Sequence, residues 1–286
     1  MSPPSCGDNF STGFFAGLRL IMSLPHYPYR RIARNTRGRD FVVGDLHACR
    51  SLLERALAGV NFDRDADRLF STGDLVDRGA EPLECLALLE EKWFFPVVGN
   101  HERMLRARFG RGERWRTRAQ ALVHSGDWPD TLRGLARRHL DTLIARIADL
   151  PAVIEVESGD SSFFVLHAER PSVWGVALSD EQLRRPSVLA RHIEVLTWGR
   201  ALYRKSLEAI AMAQPDGTGF VRLDASQTSR LTYGGHSIVR APACVGSHVF
   251  VDGGAYRHGE GDGALYLVEH IPDIGPRVAW STRNGD

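Results

Sequence analysis

The stretch RDFVVGDLH (residues 39–47) opens a pattern that decides the fold: an apolar run, a turn of glycine and polar residues, and then a helix. The run FVV predicts a short buried strand that ends at Gly44. The residues that follow carry apolar side chains at helical spacing, at Leu52, Leu53, Ala56 and Leu57. The polar turn between this strand and this helix presents Asp45 and His47.

The same pattern occurs twice more along the chain. RLFSTGDLVDRG (residues 68–79) predicts a strand near Leu69 and Phe70, and the next residues predict a helix from Pro82 to Glu91, with proline in its first turn. PVVGNHERML (residues 96–105) predicts a strand at Pro96 to Val98 and a helix that begins after Asn100.

The spacing of these turns indicates that they meet in space. Asp45 and Asp74 are 29 residues apart (74 − 45), and Asp74 and Asn100 are 26 apart (100 − 74), which is close to one β-α-β unit. Right-handed crossovers make such strands parallel neighbours, so their turns lie at one edge of the sheet. We therefore expect Asp45, His47, Asp74 and Asn100 to converge.

The rest of the chain predicts an α/β fold with two mixed β-sheets packed together and flanked by helices. A helical, arginine-rich insert is expected at about 103–150; its arginines could face an anionic substrate, although a solvated helix face is favoured. Further strands are predicted in AVIEVE, SSFFVLH, RLTYGG, HVFVDGG, ALYLVE and RVAWS, with helices around Val188 to Leu196 and Ala201 to Ala213.

The composition is that of an ordinary globular protein, with 43% apolar and 25% charged residues. The formal net charge of +1 gives no reason to expect a nucleic-acid partner. The four cysteines are scattered, as in a cytoplasmic protein with reduced thiols. We expect a monomer with no membrane association.

The first residues carry little recognisable pattern. The apolar stretch from Phe10 to Leu24 contains Arg19 and is too short to span a bilayer. We expect residues 1–36 to form a poorly specified arm, within which Met22 could be the true start, and residues 37–286 to form one folded domain.

The polar turns admit two interpretations. Taken singly, an aspartate after a strand is more often a helix cap, and a histidine there is more often a surface residue. Clustered acids would repel one another, however, and a pair of metal ions removes that conflict. Carboxylate, imidazole and amide ligands suit Mn²⁺, Fe or Zn²⁺ better than Ca²⁺. His167 and His236, which each follow an apolar run, are the candidates for the remaining ligands.

Five motifs, in order, resemble those of the phosphoprotein phosphatases: GDLHACRSLL, GDLVDRGAEPLECL, GNHERML, VLHAE and GHS. The resemblance covers about Arg39 to Val268, and it is strongest to the compact bacterial and phage members typified by bacteriophage lambda phosphatase. It implies the calcineurin-like metallophosphoesterase sandwich.

The resemblance also implies a role for each site residue. His101 matches the general acid, oriented by Asp77, whereas Arg78, Arg200 and Asn100 match groups that hold the phosphate. Two divalent ions are implied, first of all Mn²⁺, with Fe, Zn or Ni as alternatives. The implied ligands are Asp45, His47 and Asp74 for the first ion, and Asp74 as the bridge with Asn100, His167 and His236 for the second.

The implied activity is hydrolysis of phosphoserine and phosphothreonine in proteins or peptides, with phosphotyrosine left open, by direct attack of a metal-bridging hydroxide. One alternative is a nucleotide phosphohydrolase resembling diadenosine tetraphosphatase. That group typically lacks the Asp of V-D-R-G, so Asp77 favours the protein phosphatase. The other alternative is a non-catalytic phosphate-binding module, against which all six ligand positions are retained.

The chain departs from the family pattern at three positions. Ala48 replaces the usual glycine after D-x-H, and it would strain the turn if φ is positive there. Glu169 replaces the glycine of H-A-G, and Ser237 replaces the threonine of G-H-T. None of the three removes a ligand.

Overall fold

A computed structural model of the chain describes residues 28–109, 132, 135–224 and 229–283. In these ranges the strands are β1 Tyr29–Ile32, β2 Asp40–Val43, β3 Arg68–Ser71, β4 Phe94–Pro96, β5 Val153–Ser158, β6 Ser161–Val165, β7 Ser172–Val173, β8 Val176–Ala177, β9 Val221–Leu223, β10 Thr232–Gly234, β11 Ala243–Val245, β12 His248–Phe250, β13 Tyr266–Ile271 and β14 Gly275–Ser281.

The α-helices of the same ranges are α1 Arg50–Gly59, α2 Pro82–Ala87, α3 Asn100–Arg108, α4 Arg137–Ala148, α5 Asp180–Leu183, α6 Pro186–Trp198 and α7 Ala201–Met212. Short 3₁₀ helices cover Leu88–Glu90, which extends α2, and Ala255–Glu260. None of the helices in the described part of the chain combines the length and the apolar character that a bilayer span requires.

The first sheet has five strands in the order β14-β13-β2-β3-β4. Strands β2, β3 and β4 are parallel neighbours, as the spacing of the three polar turns predicts. Strand β13 is antiparallel to β2, so the sheet is mixed. The three turns after β2, β3 and β4 consequently open at the same edge.

The second sheet has seven strands in the order β1-β5-β6-β10-β12-β11-β9. It is also mixed: β10 is parallel to β6 and β12, whereas β5 and β6 are antiparallel. Its neighbours come from distant parts of the chain. The turns after β6 and β10 therefore share an edge although 69 residues separate His167 from His236.

The two sheets pack face to face. Along β2 the side chains alternate: Val42 lies in the cluster between the sheets with Phe163 and Val249, whereas Phe41 and Val43 face the helices. Helices α1 to α4 cover the outer face of the first sheet, and α5 to α7 cover that of the second. The prediction of two mixed sheets flanked by helices is confirmed.

Two boundaries differ from the sequence prediction. Strand β4 covers Phe94–Pro96, two residues earlier than predicted, because the pairing with β3 uses Phe94 and Phe95 while Val97 and Val98 lead into the turn. Strand β1 lies inside the stretch assigned to an arm, and it pairs with β5 over four residues. It is an edge strand in which Arg30 and Arg31 are exposed, and its pairing means that the sheet begins before residue 37.

The predicted helical insert is described in part. Helix α3 and helix α4 lie at its two ends, and Ile144 and Ile147 of α4 are buried against the helices of the first sheet. Residues 110–131 and 133–134 of the insert, like residues 1–27 of the predicted arm, lie outside the described residues.

Candidate metal centre and active site

The turns of the first sheet bring four polar side chains to one point. Asp45 follows β2, Asp74 follows β3, and Asn100 opens α3 after β4; all three are buried. His47 lies beside them, with its Nε2 3.7 Å from Oδ2 of Asp74. The first-sheet residues that the sequence expects to converge therefore do so.

The second sheet adds two histidines to the same point. His167 Nε2 lies 2.8 Å from Asn100 Oδ1, 3.2 Å from His236 Nδ1 and 3.5 Å from Asp74 Oδ2. The backbone N–H of His236 donates to Asp45 at 3.0 Å. Asp74 thus lies between one group formed with His47 and His101 and another formed with His167 and His236.

The turns at this point hold backbone conformations that non-glycine residues rarely adopt. Positive φ occurs at His47, Ala48, Asp74, Asp77, Arg78 and His236. Such strain persists only where the surrounding structure imposes it, and it concentrates at functional sites. Ala48, which stands where the family usually has glycine, has a φ of 56°, so the turn is strained at this residue. Gly235 is required for another reason, because a Cβ there would lie 2.1 Å from Oδ1 of Asp45.

His47 and His167 are held as neutral rings with an unprotonated Nε2. His47 donates from Nδ1 to the carbonyl oxygen of Val76 at 2.9 Å, and His167 donates from Nδ1 to that of Thr72 at 2.7 Å. Burial lowers the pKa of His47 to about 3, and it also lowers the pKa of His167. Nε2 of each ring is therefore unprotonated, which is the form that binds a cation; at His47 this nitrogen accepts from Nη1 of Arg78 at 2.8 Å.

The buried carboxylates create a local excess of negative charge. Burial, together with the neighbouring carboxylates of Asp252 and Asp74, raises the pKa of Asp45 well above its usual range. Burial also raises the pKa of Asp252, to about 6. At Asp74 burial opposes ionisation, but the surrounding histidines outweigh it and lower the pKa.

This arrangement fits a pair of divalent cations. Nε2 of His236 is buried and has no hydrogen-bond partner in the described structure. At the same site Nδ1 of His236 faces Nε2 of His167, and imidazole, carboxylate and amide groups that converge on one buried point are the donor set that a transition metal ion satisfies.

His101 lies beside this cluster in a different setting. Its Nδ1 is hydrogen-bonded to Asp77, and its Nε2 points toward the cluster, 3.8 Å from Asp74 Oδ2. Burial lowers the pKa of His101, but the Asp74 and Asp77 carboxylates outweigh burial, and the net pKa is raised. A carboxylate-oriented histidine that favours its protonated form suits a proton donor.

Two arginines border the cluster. Arg78 donates from Nη1 to Nε2 of His47 at 2.8 Å, and its guanidinium lies over the ring of Tyr256 at 4.6 Å. Arg200 is the N-cap residue of α7. Burial lowers the pKa values of His167 and His236, and the positive charge of Arg200 lowers them further. Within the ranges that the structure describes, the Arg200 guanidinium forms no hydrogen bond or ion pair, so its donors are available.

Three buried residues of the site were not predicted from the sequence. Glu102 accepts the backbone N–H groups of Asp74, Leu75 and Gly99, and so holds two of the turns together. Thr72 donates to Asp45 at 3.0 Å. Asp252 follows β12 just as Asp45 follows β2, so an aspartate directly after an apolar strand was the signal that could have identified it.

Comparison with known proteins agrees with this geometry. The profile of the calcineurin-like phosphoesterases matches residues 41–195, more than half of the chain. The chain belongs to the calcineurin-like phosphoesterase family. This family uses a dinuclear metal site, and the histidine and aspartate groups around Asp74 are metal-binding groups of that kind.

Curated relatives of this phosphoesterase fall into two groups. "Serine/threonine-protein phosphatase 2" of Salmonella typhimurium is 41% identical over 46% of this chain and 58% of its own length. "Serine/threonine-protein phosphatase 2" of Escherichia coli is 32% identical over 57% of this chain and 74% of its own length. The symmetrical bis(5'-nucleosyl)-tetraphosphatase of Mannheimia succiniciproducens is 38% identical over 36% of this chain and 38% of its own length.

A solved structure shares the calcineurin-like phosphoesterase fold over almost the whole chain. The cold-active protein-tyrosine phosphatase of a psychrophilic Shewanella species superposes with a TM-score of 0.50. The alignment covers 98% of this chain and 89% of the other at 14% identity, so it supports the fold alone.

Proposed function

We propose that the protein is a metal-dependent phosphoprotein phosphatase that hydrolyses phosphoserine and phosphothreonine monoesters. The observation that carries the proposal is the pairing of His101 with Asp77 directly beside the Asp74-centred group of histidines and carboxylates. A proton donor next to a dinuclear metal site is the minimum that a phosphomonoesterase needs when no covalent intermediate forms.

The metal-binding groups divide between the two sheets. Asp45, His47 and Asp74 would hold one ion, and Asp74 with Asn100, His167 and His236 would hold the other. Two divalent ions, when bound, acidify a water molecule and neutralise charge on the phosphoryl oxygens. We propose Mn²⁺, because neutral imidazoles and carboxylates around one point suit it and no cysteine thiol is among these ligands.

The remaining residues bind the phosphate and supply the proton. Arg78 and Arg200 would donate to the phosphate oxygens, for which the planar guanidinium is well shaped, and the side chain of Asn100 would offer a further contact. His101 would protonate the leaving alkoxide from Nε2, while Asp77 keeps Nδ1 engaged and stabilises the imidazolium.

The substrate class rests on the names of the relatives and on one residue. Two of the relatives described above are named serine/threonine-protein phosphatases, and one is named a symmetrical bis(5'-nucleosyl)-tetraphosphatase. Asp77, which nucleotide phosphohydrolases of that kind typically lack, is present here and bonded to His101. This bond favours the phosphoprotein over the dinucleotide; activity on phosphotyrosine is compatible with the same site.

The test begins with protein stripped by a chelator. Hydrolysis of p-nitrophenyl phosphate is measured after adding back Mn²⁺, Mg²⁺, Ni²⁺ or Zn²⁺, and phosphopeptides are then compared with diadenosine tetraphosphate. We expect Mn²⁺ to restore turnover and phosphopeptides to be the better substrates. No turnover with any metal would contradict the catalytic proposal, whereas preference for the dinucleotide would overturn the substrate class alone.

Three expectations from the sequence stay predictions: the cytoplasmic location, the monomeric state and the assignment of one catalytic domain, expected at residues 37–286 and extended by β1 to include Tyr29. Size-exclusion chromatography with light scattering would measure the second of these directly.

A further inference from the structure

The turn that carries His167 is tied to helix α7 by a buried carboxylate. Glu169 is 3% exposed, and its side chain accepts the backbone N–H of Leu202 at 3.0 Å and that of Tyr203 at 2.7 Å. These are the second and third residues of α7, whose N–H groups have no partner within the helix. Both oxygens of Glu169 are thereby used, at the helix end where the macrodipole favours a negative charge.

The same turn is tied to the end of helix α6. The N–H of Ala168 donates to the carbonyl oxygen of Leu196 at 2.8 Å. Gly199 lies so close that a Cβ there would be 3.3 Å from Cβ of Glu169. The corner formed by the last two residues of α6 and the two residues before α7, residues 197–200, is therefore held from one side by two consecutive residues of the turn.

A second hydrogen bond holds this corner from helix α3, which covers the first sheet. Arg103 of α3 is buried and donates from Nη1 to Oγ1 of Thr197 at 2.6 Å. This bond fixes the beginning of the corner, whereas Glu169 fixes the helix that follows it. Arg200, the N-cap residue of α7, lies between these two fixed points.

We propose that Glu169 is a positioning residue that sets where the Arg200 guanidinium meets the phosphate. The inference rests on the proposed function, since it assigns Glu169 a role through a residue placed at the phosphate. Glu169 contacts the backbone of α7 rather than the metal-binding side chains, so we expect its removal to shift the start of this helix. It also gives a physical role to a residue at which the chain departs from the family's glycine.

The test is a double-mutant cycle on phosphate affinity. Wild type, Glu169→Ala, Arg200→Ala and the double variant are compared, with orthophosphate as a competitive inhibitor of p-nitrophenyl phosphate hydrolysis. We expect Glu169→Ala to raise the inhibition constant of phosphate and KM by about tenfold, because a small misplacement of a binding group is costly. In the Arg200→Ala background the same change should have little further effect.

A matched control separates positioning from helix capping in general. Ser179 caps α5 by accepting the N–H of Gln182 at 3.2 Å, and it is exposed. Ser179→Ala should leave phosphate affinity unchanged, and melting temperatures are recorded for every variant. Glu169→Gln, which keeps the shape but offers only one accepting oxygen, should lie between wild type and Glu169→Ala.

The outcomes distinguish the two layers of the argument. Equal effects of Glu169→Ala with and without Arg200 would show that Glu169 acts independently, and would overturn the inference while leaving the phosphatase proposal standing. An Arg200→Ala variant that binds phosphate as wild type does would remove Arg200 from the site and overturn the inference with it. A wild type that hydrolyses no phosphoester with any metal would instead reject the proposed function.

Discussion

The two sheets contribute to the site in different ways. The first sheet supplies Asp45, His47, Asp74 and Asn100 from three successive strands, each joined to the next by a short helical crossover. The second sheet supplies His167 and His236 from β6 and β10, which are neighbours in space although far apart in the chain. The first half of the site is thus formed by local chain geometry, and the second by long-range assembly.

The difference shows which half of the site depends on the other for its position. On the first sheet, Glu102 alone accepts three backbone N–H groups from two turns, so these turns hold one another. On the second sheet, the backbone N–H of His236 is fixed by a carboxylate of the first sheet, Asp45. The second half therefore depends on the first, and changes in each half should differ in size.

The largest effect is expected from exchanging one carboxylate in each half for an amide. Asp74→Asn removes the group shared by both histidine clusters, and we expect Mn²⁺-restored turnover to fall roughly 10³-fold, since metal-based charge stabilisation is worth several kcal/mol. Asp252→Asn changes a buried second-sheet carboxylate that acts through its charge, and Mn²⁺ affinity should fall about 10-fold to 100-fold.

Competition with a chromogenic chelator measures the Mn²⁺ affinities independently of turnover. Equal losses of Mn²⁺ affinity in Asp74→Asn and Asp252→Asn would mean that Asp252 is itself a ligand. The proposed division of roles between the sheets would then be wrong.

The next effect concerns His101, the proposed proton donor, which follows a strand of the first sheet. His101→Asn should lower kcat about 10²-fold on phenyl phosphate, whose leaving group needs a proton, and much less on p-nitrophenyl phosphate, whose leaving anion is stable in water. Steady-state kinetics on this pair of substrates isolates the role. Asp77→Asn, which leaves the ring without its carboxylate, should show the same substrate dependence in weaker form. An equal loss on both substrates would contradict the assignment of a general acid.

A smaller effect is expected at Glu155, which joins strand β5 of the second sheet to residues that are far away in the sequence. Glu155 of β5 is bonded to Arg184, Tyr29 and Ser162, and its side chain is 1% exposed. Burial raises the pKa of Glu155, but these partners outweigh burial and lower it to about 2, from 4.5. The ionised form is therefore favoured by folding, and this stability is present above about pH 4.5 and lost as the pH falls toward 2.

Thermal unfolding followed by circular dichroism across this pH range checks the prediction. Glu155→Gln should melt below wild type at pH 7, and the difference should shrink as the pH falls from 4.5 toward 2. A difference that stays constant with pH would assign the stabilisation to packing rather than to charge.

The smallest effect concerns a turn of the first sheet. Ala48 has φ 56°, so Ala48→Gly should stabilise the protein by about 0.5–1 kcal/mol, because glycine adopts this conformation without steric cost. Ala56→Gly, inside α1, is the control and should destabilise by about 1 kcal/mol or more. Denaturant unfolding measures both. A destabilised Ala48→Gly variant would show that the methyl group contributes packing that outweighs the strain.

The sequence predicts the half of the site on the first sheet in more detail than the half on the second sheet. Glycine turns after β-branched runs recur at regular spacing in the first half, so its parallel strands and the meeting of Asp45, Asp74 and Asn100 follow from chain geometry. In the second half, His167 and His236 are candidates because each follows an apolar run and a metal pair needs further ligands, but no local pattern states that their strands become neighbours. Short strands such as β9 and β11 have three residues each, too few to show a period. The contacts of Glu102 and Glu169 depend on side-chain distances that spacing alone does not give.

The carbonyl groups that orient His47 and His167 carry one more consequence. Both rings donate to main-chain oxygens, of Val76 and of Thr72, within a single turn that follows β3. A scan that replaces side chains one at a time leaves these oxygens in place, so it would assign Val76 no part in ring orientation. Replacing the peptide bond after Val76 with an ester weakens this carbonyl as an acceptor. The change would show that the main chain helps to set the tautomer of His47, an effect that an alanine scan does not detect.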